Sequence, residues 1–133
     1  FNGTNSSTTV ANSILWGDTA GASVSEIVNL DSSASATVSY SLVSGGYPLG
    51  TNIITTDPLF VDPPNDDLNL QVGSPAIDAA NECAGYVTLT DLEGNNRWDI
   101  ALLPDAVHWL DMGALEYQGT TGVVGLVSAF NCP

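Results

Sequence analysis

Thr37-Val38-Ser39-Tyr40-Ser41-Leu42-Val43 is the stretch on which the fold turns. Val38, Tyr40 and Leu42 alternate with Thr37, Ser39 and Ser41, the period of two that marks a strand with one buried face. Gly45-Gly46 ends the run. Upstream, Val10-Ala11-Asn12-Ser13-Ile14-Leu15-Trp16 reads as a second strand that stops at Gly17-Asp18. In both, Ser stands beside a bulky inward residue and Gly follows. Their separation matches one coil of a solenoid, whose repeats run roughly 20–45 residues.

The rest of the chain repeats this rhythm of short β-type runs and turn residues, with no sustained helical period. Residues 24–30 (VSEIVNL) form a strand with a bend at Ile27-Val28, and 31–36 (DSSASA) a small-residue turn. Asn52-Ile53-Ile54 and Pro58-Leu59-Phe60-Val61 are a further pair of short strands. Asp62-Pro63-Pro64-Asn65-Asp66 cannot continue a ladder, because proline has no N–H to give. Asp67-Leu68-Asn69-Leu70-Gln71 alternates again, with Leu68 and Leu70 expected inward. Ser74-Pro75-Ala76-Ile77 is the one candidate helical turn, Ser74 as N-cap and Pro75 as first helical residue. Beyond lie a run at 86–89, a loop at 91–98, a run at 112–117 and an apolar tail strand at 123–130. The hairpin dipeptide Asn-Gly occurs only at Asn2-Gly3, so the pattern predicts a solenoid in preference to a sandwich.

The charge balance narrows the function. Fifteen acidic residues face one Arg, no Lys and one His, for a net charge of −14. Such a surface repels phosphate backbones and anionic lipid, which excludes nucleic acid and membrane-surface partners. Solvent-facing positions fall instead to Ser, Thr and Asn, a composition that fits a secreted or extracellular protein. The start at Phe1 without an initiator Met points to a processed or excised chain. Cys83 and Cys132 match no metal spacing. In an exported chain they are expected to form a disulfide that closes a long loop, contributing roughly 4 kcal/mol; the alternative is two small buried thiols.

The order Asn12-Ser13-Ile14-Leu15-Trp16-Gly17, Val38-Ser39-Tyr40-Ser41-Leu42, Asn52-Ile53, Asp57-Pro58-Leu59-Phe60-Val61-Asp62, then Ser74-Pro75-Ala76-Ile77-Asp78-Ala79, Asp91-Leu92-Glu93-Gly94-Asn95-Asn96-Arg97 and Asp111-Met112-Gly113-Ala114-Leu115-Glu116-Tyr117 covers positions 12 to 117. This order resembles the last coils of bacterial right-handed β-helix repeat proteins, the choice-of-anchor surface proteins with a pectin-lyase-like fold. The resemblance implies an all-β, right-handed parallel β-helix (solenoid) with a loop-rich C-terminal cap, exported to the cell surface or beyond. In that frame residues 1–9 are a polar lead, 10–72 the coils, 73–117 the cap and 118–133 a tail. The chain departs from the family in having room for only two or three coils. Its tail, without basic residues or a long hydrophobic anchor, also departs from the family pattern.

A coil end exposes unpaired N–H and C=O groups, so an uncapped amino end invites head-to-tail stacking of copies, and a contact that does not close gives a filament. The tail residues Val123, Val124, Leu126, Val127 and Phe130 are candidates for pairing with a neighbouring copy by strand addition. Opposing this, subunits so acidic repel one another unless the contact is buried or cations intervene.

Catalysis has little to stand on. Lyases of the resembled fold use carboxylates with Ca²⁺ and a basic proton acceptor, and only Arg97 and His108 could serve. Arg97 is expected instead to make a buried ion pair with Asp91, Asp99 or Asp111, and His108 to be a packed or surface residue. Asp91, Glu93 and Asn95 alternate like oxygen ligands of a Ca²⁺ loop, as do Asp62, Asp66 and Asp67, but without full EF-hand spacing. Asn2 and Asn5 head glycosylation sequons. Trp16, Trp98 and Trp109 are either a sugar platform or ordinary packing. The reading is a non-catalytic extracellular structural protein, not an enzyme, self-associating into a filament or surface layer. Its partners would be copies of itself and glycans. The alternative is a terminal fragment of a larger secreted protein with carbohydrate-binding or polysaccharide-lyase activity.

Overall fold

The computed structural model describes residues 3–18, 26–29, 31–84, 87–97, 99–100, 110–119 and 124–125, the two strands at 99–100 and 124–125 by backbone alone. Its centre is a parallel ladder. Strand β3 (Ser35–Val43) lies between β1 (Ser7–Ala11) with β2 (Ile14–Leu15) on one edge and β4 (Thr51–Ile54) on the other. Ser7 faces Ser35 and Ile14 faces Leu42 at the same 28-residue offset, so β1 and β2 are one strand line with an interruption.

The interruption is a bend shared by all three lines. Ala11, Ser39 and Thr51 pair across the sheet, and the residue after each is left-handed: Asn12 at φ 52, Tyr40 at φ 45 and Asn52 at φ 53. Asparagine tolerates that conformation, whereas a bulky residue such as tyrosine pays steric strain in it. Ser13 and Ser41 follow the bend and donate their hydroxyls to the carbonyls of Ala11 and Ser39, both at 2.8 Å. The backbone N–H of Ser13 donates to Ser41 Oγ at 3.2 Å, which ties the two bends together. The kink also corrects the expected alternation. Past Tyr40, Ser41, Leu42 and Val43 are buried in succession, with the Ser41 hydroxyl kept satisfied by its own strand.

Asn12 carries the bend into the rest of the molecule. Its side-chain amide donates to the Asn81 carbonyl and accepts from the Asn81 N–H, each at 2.8 Å, while its own carbonyl accepts from Gly113 at 2.8 Å. Three distant segments therefore meet on one residue.

After β4 the chain stops adding parallel strands. β5 (Phe60–Asp62) and β6 (Asp67–Leu70) form an antiparallel hairpin around a 3-10 turn, Pro63–Asn65. Asp66 at φ 62 closes that turn. Register shifts between Phe60 and Asp62, and of the two leucines expected inward only Leu70 is buried; Leu68 is 47% exposed. At Ser74 the expected helical turn is a hydrogen-bonded turn without helix. Ser74 Oγ accepts from the Ala76 N–H at 3.2 Å and donates to the Pro58 carbonyl at 2.6 Å. The core is Leu42, Leu70, Ala76, Ile77, Ala80, Leu110 and Met112, with Ile14, Trp16 and Phe60 packed against it.

Strands and coil dominate, but the right-handed parallel β-helix with a C-terminal cap is corrected: no solenoid is found among the described residues. Solenoid coils run roughly 20–45 residues. Here Thr51 pairs with Ser39 only 12 residues downstream, after a 28-residue offset for the preceding pair. The prolines at 58, 63 and 64 then turn the chain into a hairpin. The strand expected at 24–30 is described only over 26–29, where Asn29 alone makes a bridge. The tail strand is described at β8 (Val124–Gly125), which pairs antiparallel with β7 (Asp99–Ile100) of the same chain. Val123, Leu126, Val127 and Phe130 lie outside the described residues. Among the described residues no helix is long and apolar enough to cross a membrane.

Asn12→Ala is expected to destabilise the fold by roughly 2–4 kcal/mol, through left-handed strain and two lost side-chain hydrogen bonds. Asn12→Gly removes the hydrogen bonds but tolerates the conformation, so its loss of stability in urea denaturation should be smaller. Equal losses would contradict a left-handed Asn12.

Candidate functional site

The titratable residues that the fold buries gather where three loops meet. The first is the 91–97 loop. An antiparallel bridge between Thr90 and Asn96 closes its neck, and Gly94 at φ 86 makes its tip. Asp91 holds it from inside: Oδ1 accepts the N–H groups of Glu93 (3.0 Å) and Asn95 (2.8 Å). Oδ2 accepts the Glu116 N–H at 3.2 Å and the Asn95 amide at 3.3 Å. Burial acts to raise the pKa of Asp91, but these donors outweigh it and hold the carboxyl below its ordinary value.

The second element is the 110–117 segment, which forms no strand and so must find partners for its backbone elsewhere. Asp111 supplies them. Its Oδ1 accepts from the Asp78 N–H at 2.9 Å and its Oδ2 from the Tyr117 N–H at 2.6 Å. Met112 donates to the Ala76 carbonyl, and Ala80 to the Leu110 carbonyl, both at 2.9 Å, which stitches in the third element, the 74–80 turn.

Arg97 closes the arrangement. Nη1 is 2.8 Å from Glu116 Oε2, and Nη2 donates to the carbonyls of Gly113 (3.2 Å) and Ala114 (3.3 Å). The same Oε2 accepts the Asp111 N–H at 3.2 Å. The Arg97 side chain is 11% exposed and that of Glu116 not at all, and Glu116 Oε1 is buried without a hydrogen-bond partner. Burial, opposed by the Tyr117 and Asp78 N–H groups and by Arg97, pushes Asp111 up to about 6. Burial and then the Asp111 charge, opposed by Arg97, push Glu116 up to about 8. One guanidinium faces two carboxyls, so below those values the cluster keeps protons that the same residues release in water.

For the ion pair anticipated for Arg97 with Asp91, Asp99 or Asp111, the described residues give Glu116 in place of Asp91 or Asp111. Asp91 and Asp111 spend their oxygens on backbone N–H groups, and the longer Glu116 reaches the guanidinium; the Asp99 side chain lies outside the described residues. The oxygen ligands imagined at Asp91, Glu93 and Asn95 point otherwise. The Asn95 amide turns its nitrogen toward Asp91 and Glu93, and Asp91 receives hydrogen bonds on both oxygens. Asp62 and Asp67 likewise accept from Asn65 and Asn69. Among the described residues no group of three His, Cys, Asp or Glu could hold a metal ion.

Of the other residues singled out, Asn5 is exposed, with its N–H on Ser33 Oγ at 2.8 Å. Cys83 is not a free thiol, and its N–H donates to Asn81 Oδ1 at 2.9 Å. Asn2, Trp98, His108, Trp109 and Cys132 lie outside the described residues. Trp16 is half-buried against the core. Glu116 was not singled out, although it is the only acid in the run Met112-Gly113-Ala114-Leu115-Glu116-Tyr117. A lone acid in an apolar stretch, with a single arginine in the whole chain, is a signal for that pair.

A cavity of about 330 Å³ adjoins the cluster, with Asn12, Thr88, Arg97 and Asp111 among its walls. The Asp111 oxygens and the Arg97 fork are already engaged with protein groups, so they act as braces. What the arrangement does chemically is satisfy the backbone of irregular chain in a dry interior.

The stability profile follows from these shifts. Asp111 and Glu116 titrate higher folded than unfolded, so the stability they lend is complete below pH about 4 and is lost as pH rises through about 6 and about 8. Asp91 has the opposite sign, and its contribution is lost as pH falls below the ordinary carboxylate range. Thermal melts from about pH 3 to about pH 9 should peak in mild acid. Glu116→Gln should flatten the alkaline limb and leave the acid limb in place; a profile unchanged by that substitution would refute the assignment. Compared with family models, with curated proteins and with solved structures, the chain shows no match.

Proposed function

We propose that the chain is a non-catalytic structural module of a secreted, extracellular assembly, joining copies of itself edge to edge. The observation that carries this reading is the parallel sheet. Among the described residues β1 and β2 pair only with β3, and so does β4, leaving two different outer edges. Backbone groups on such edges seek strand partners. Unlike edges meet head to tail, a contact that repeats without closing and yields a filament. The use of Asp91, Asp111, Glu116 and Arg97 as internal braces supports a structural role over a catalytic one. The Ser-, Thr- and Asn-rich composition without lysine supports an extracellular setting. The competing reading, a terminal fragment with carbohydrate-binding or lyase activity, needs a basic group facing solvent beside carboxylates; of the two candidates Arg97 is occupied with Glu116, and His108 lies outside the described residues.

Charge sets the conditions. At −14, copies repel, so association should strengthen as salt screens them. Asn12 donates its N–H inward to Ser39 at 3.3 Å, and N–H groups alternate in direction along a strand, so that of Thr9 faces outward. Negative-stain microscopy at moderate salt should show fibres of uniform width. Thr9→Pro should abolish them while preserving the far-ultraviolet circular dichroism of the fold. Discrete particles from the unaltered protein at every ionic strength would reject the reading.

A further inference from the structure

On another face, the β5–β6 hairpin and the 91–97 loop border a groove of about 260 Å³. Buried Leu70 and Met112 form part of its lining, and Leu68 and Leu92, 47% and 80% exposed, also line it. The carboxylate residues Asp66 and Glu93 line the same groove, and both are exposed. The loop that carries Leu92 is held by hydrogen bonds to Asp91 and by the Leu92 N–H on the Ala114 carbonyl at 3.0 Å. The leucine side chain contributes nothing to those bonds, so folding does not account for an apolar residue at that position.

We propose that this groove is a docking site for a basic, amphipathic segment of a different protein. The segment would seat a leucine-like side chain against Leu68 and Leu92, with a lysine or arginine on Asp66 and Glu93. Charge complementarity identifies the occupant. The rim is acidic, and an apolar anchor flanked by a cation satisfies both wall and rim. A second copy of this chain lacks the means. It has no lysine, its only arginine is 11% exposed and bonded to Glu116, and it brings a charge of −14 against the same sign. The groove touches the sheet edge only at Ile14, whereas the edge contact is probed at Thr9, so the two proposals are tested separately.

The test is calorimetric titration of the whole chain with two ten-residue peptides of equal charge, one alternating Leu and Lys, the other Ser and Lys. The Leu/Lys peptide should bind saturably and at least roughly tenfold more tightly, the effect of burying one or two leucine side chains. Leu68→Ser with Leu92→Ser should erase that advantage. Both side chains are exposed, so the fold should persist by circular dichroism. Leu49→Ser, 83% exposed and outside the groove, should leave binding unchanged. Asp66→Asn with Glu93→Gln should weaken binding several-fold more than Asp57→Asn with Glu82→Gln, a charge-matched pair outside the groove. Equal affinity for the two peptides, or full affinity in the Leu68/Leu92 variant, would overturn the proposal. So would peptide-free sedimentation showing a dimer that the Leu68/Leu92 variant dissolves, since a second copy would then be the occupant.

Discussion

A backbone N–H taken out of water must find an acceptor, and in the C-terminal half of this protein the acceptors are carboxylates. Residues 74–84 and 110–119 run as turns and bends without a strand ladder to satisfy them. Asp111 takes the N–H groups of Asp78 and Tyr117, Asp91 those of Glu93, Asn95 and Glu116, and Glu116 that of Asp111. These acids therefore reinforce the few backbone hydrogen bonds, such as Met112 to Ala76 and Leu92 to Ala114, that join the same segments. Removing one leaves several buried donors unpaired at once, a heavier loss than deletion of a surface charge.

Such bracing has an electrostatic consequence. Asp111 and Glu116 share one arginine in a region largely closed to solvent, so desolvation favours their protonated carboxyls, while Asp91 stays ionised under its ring of donors. The joint between the 74–80 turn, the 91–97 loop and the 110–117 segment is thus tightened by mild acid and loosened by alkali. Its acids belong to the interior, whereas Asp66 and Glu93 are exposed at the groove.

The sheet and the braces are linked through Asn12. Its backbone belongs to the ladder, its side chain to Asn81 and its carbonyl to Gly113. The left-handed bend at that rung turns the strand line so that Ile14 and Leu42, rather than polar neighbours, reach the core beside Leu70 and Met112. Tyr40 accepts an unfavourable conformation because the bends on both sides of it, at Asn12 and Asn52, are aligned with its own.

Alternation in 37–43, turn residues at Gly45-Gly46 and the proline-rich loop at 62–66 are local chemistry, and they specified strands and breaks. Asn12 and Asn52 could have been read as left-handed points, since asparagine adopts that region readily. Tyr40 could not, because its bend comes from neighbours on adjacent strands. Composition likewise announced an acidic chain with one arginine, but not the acid it meets. Partner choice depends on which carboxylates have already been claimed by backbone N–H groups, and that is settled by how distant loops pack. Strand direction and repeat length belong to the same class: the solenoid expected from two similar strands gave way to a single parallel ladder and antiparallel pairs once a short excursion and three prolines redirected the chain. Local preferences act over a few residues, whereas pairing and burial are decided among segments far apart in the chain.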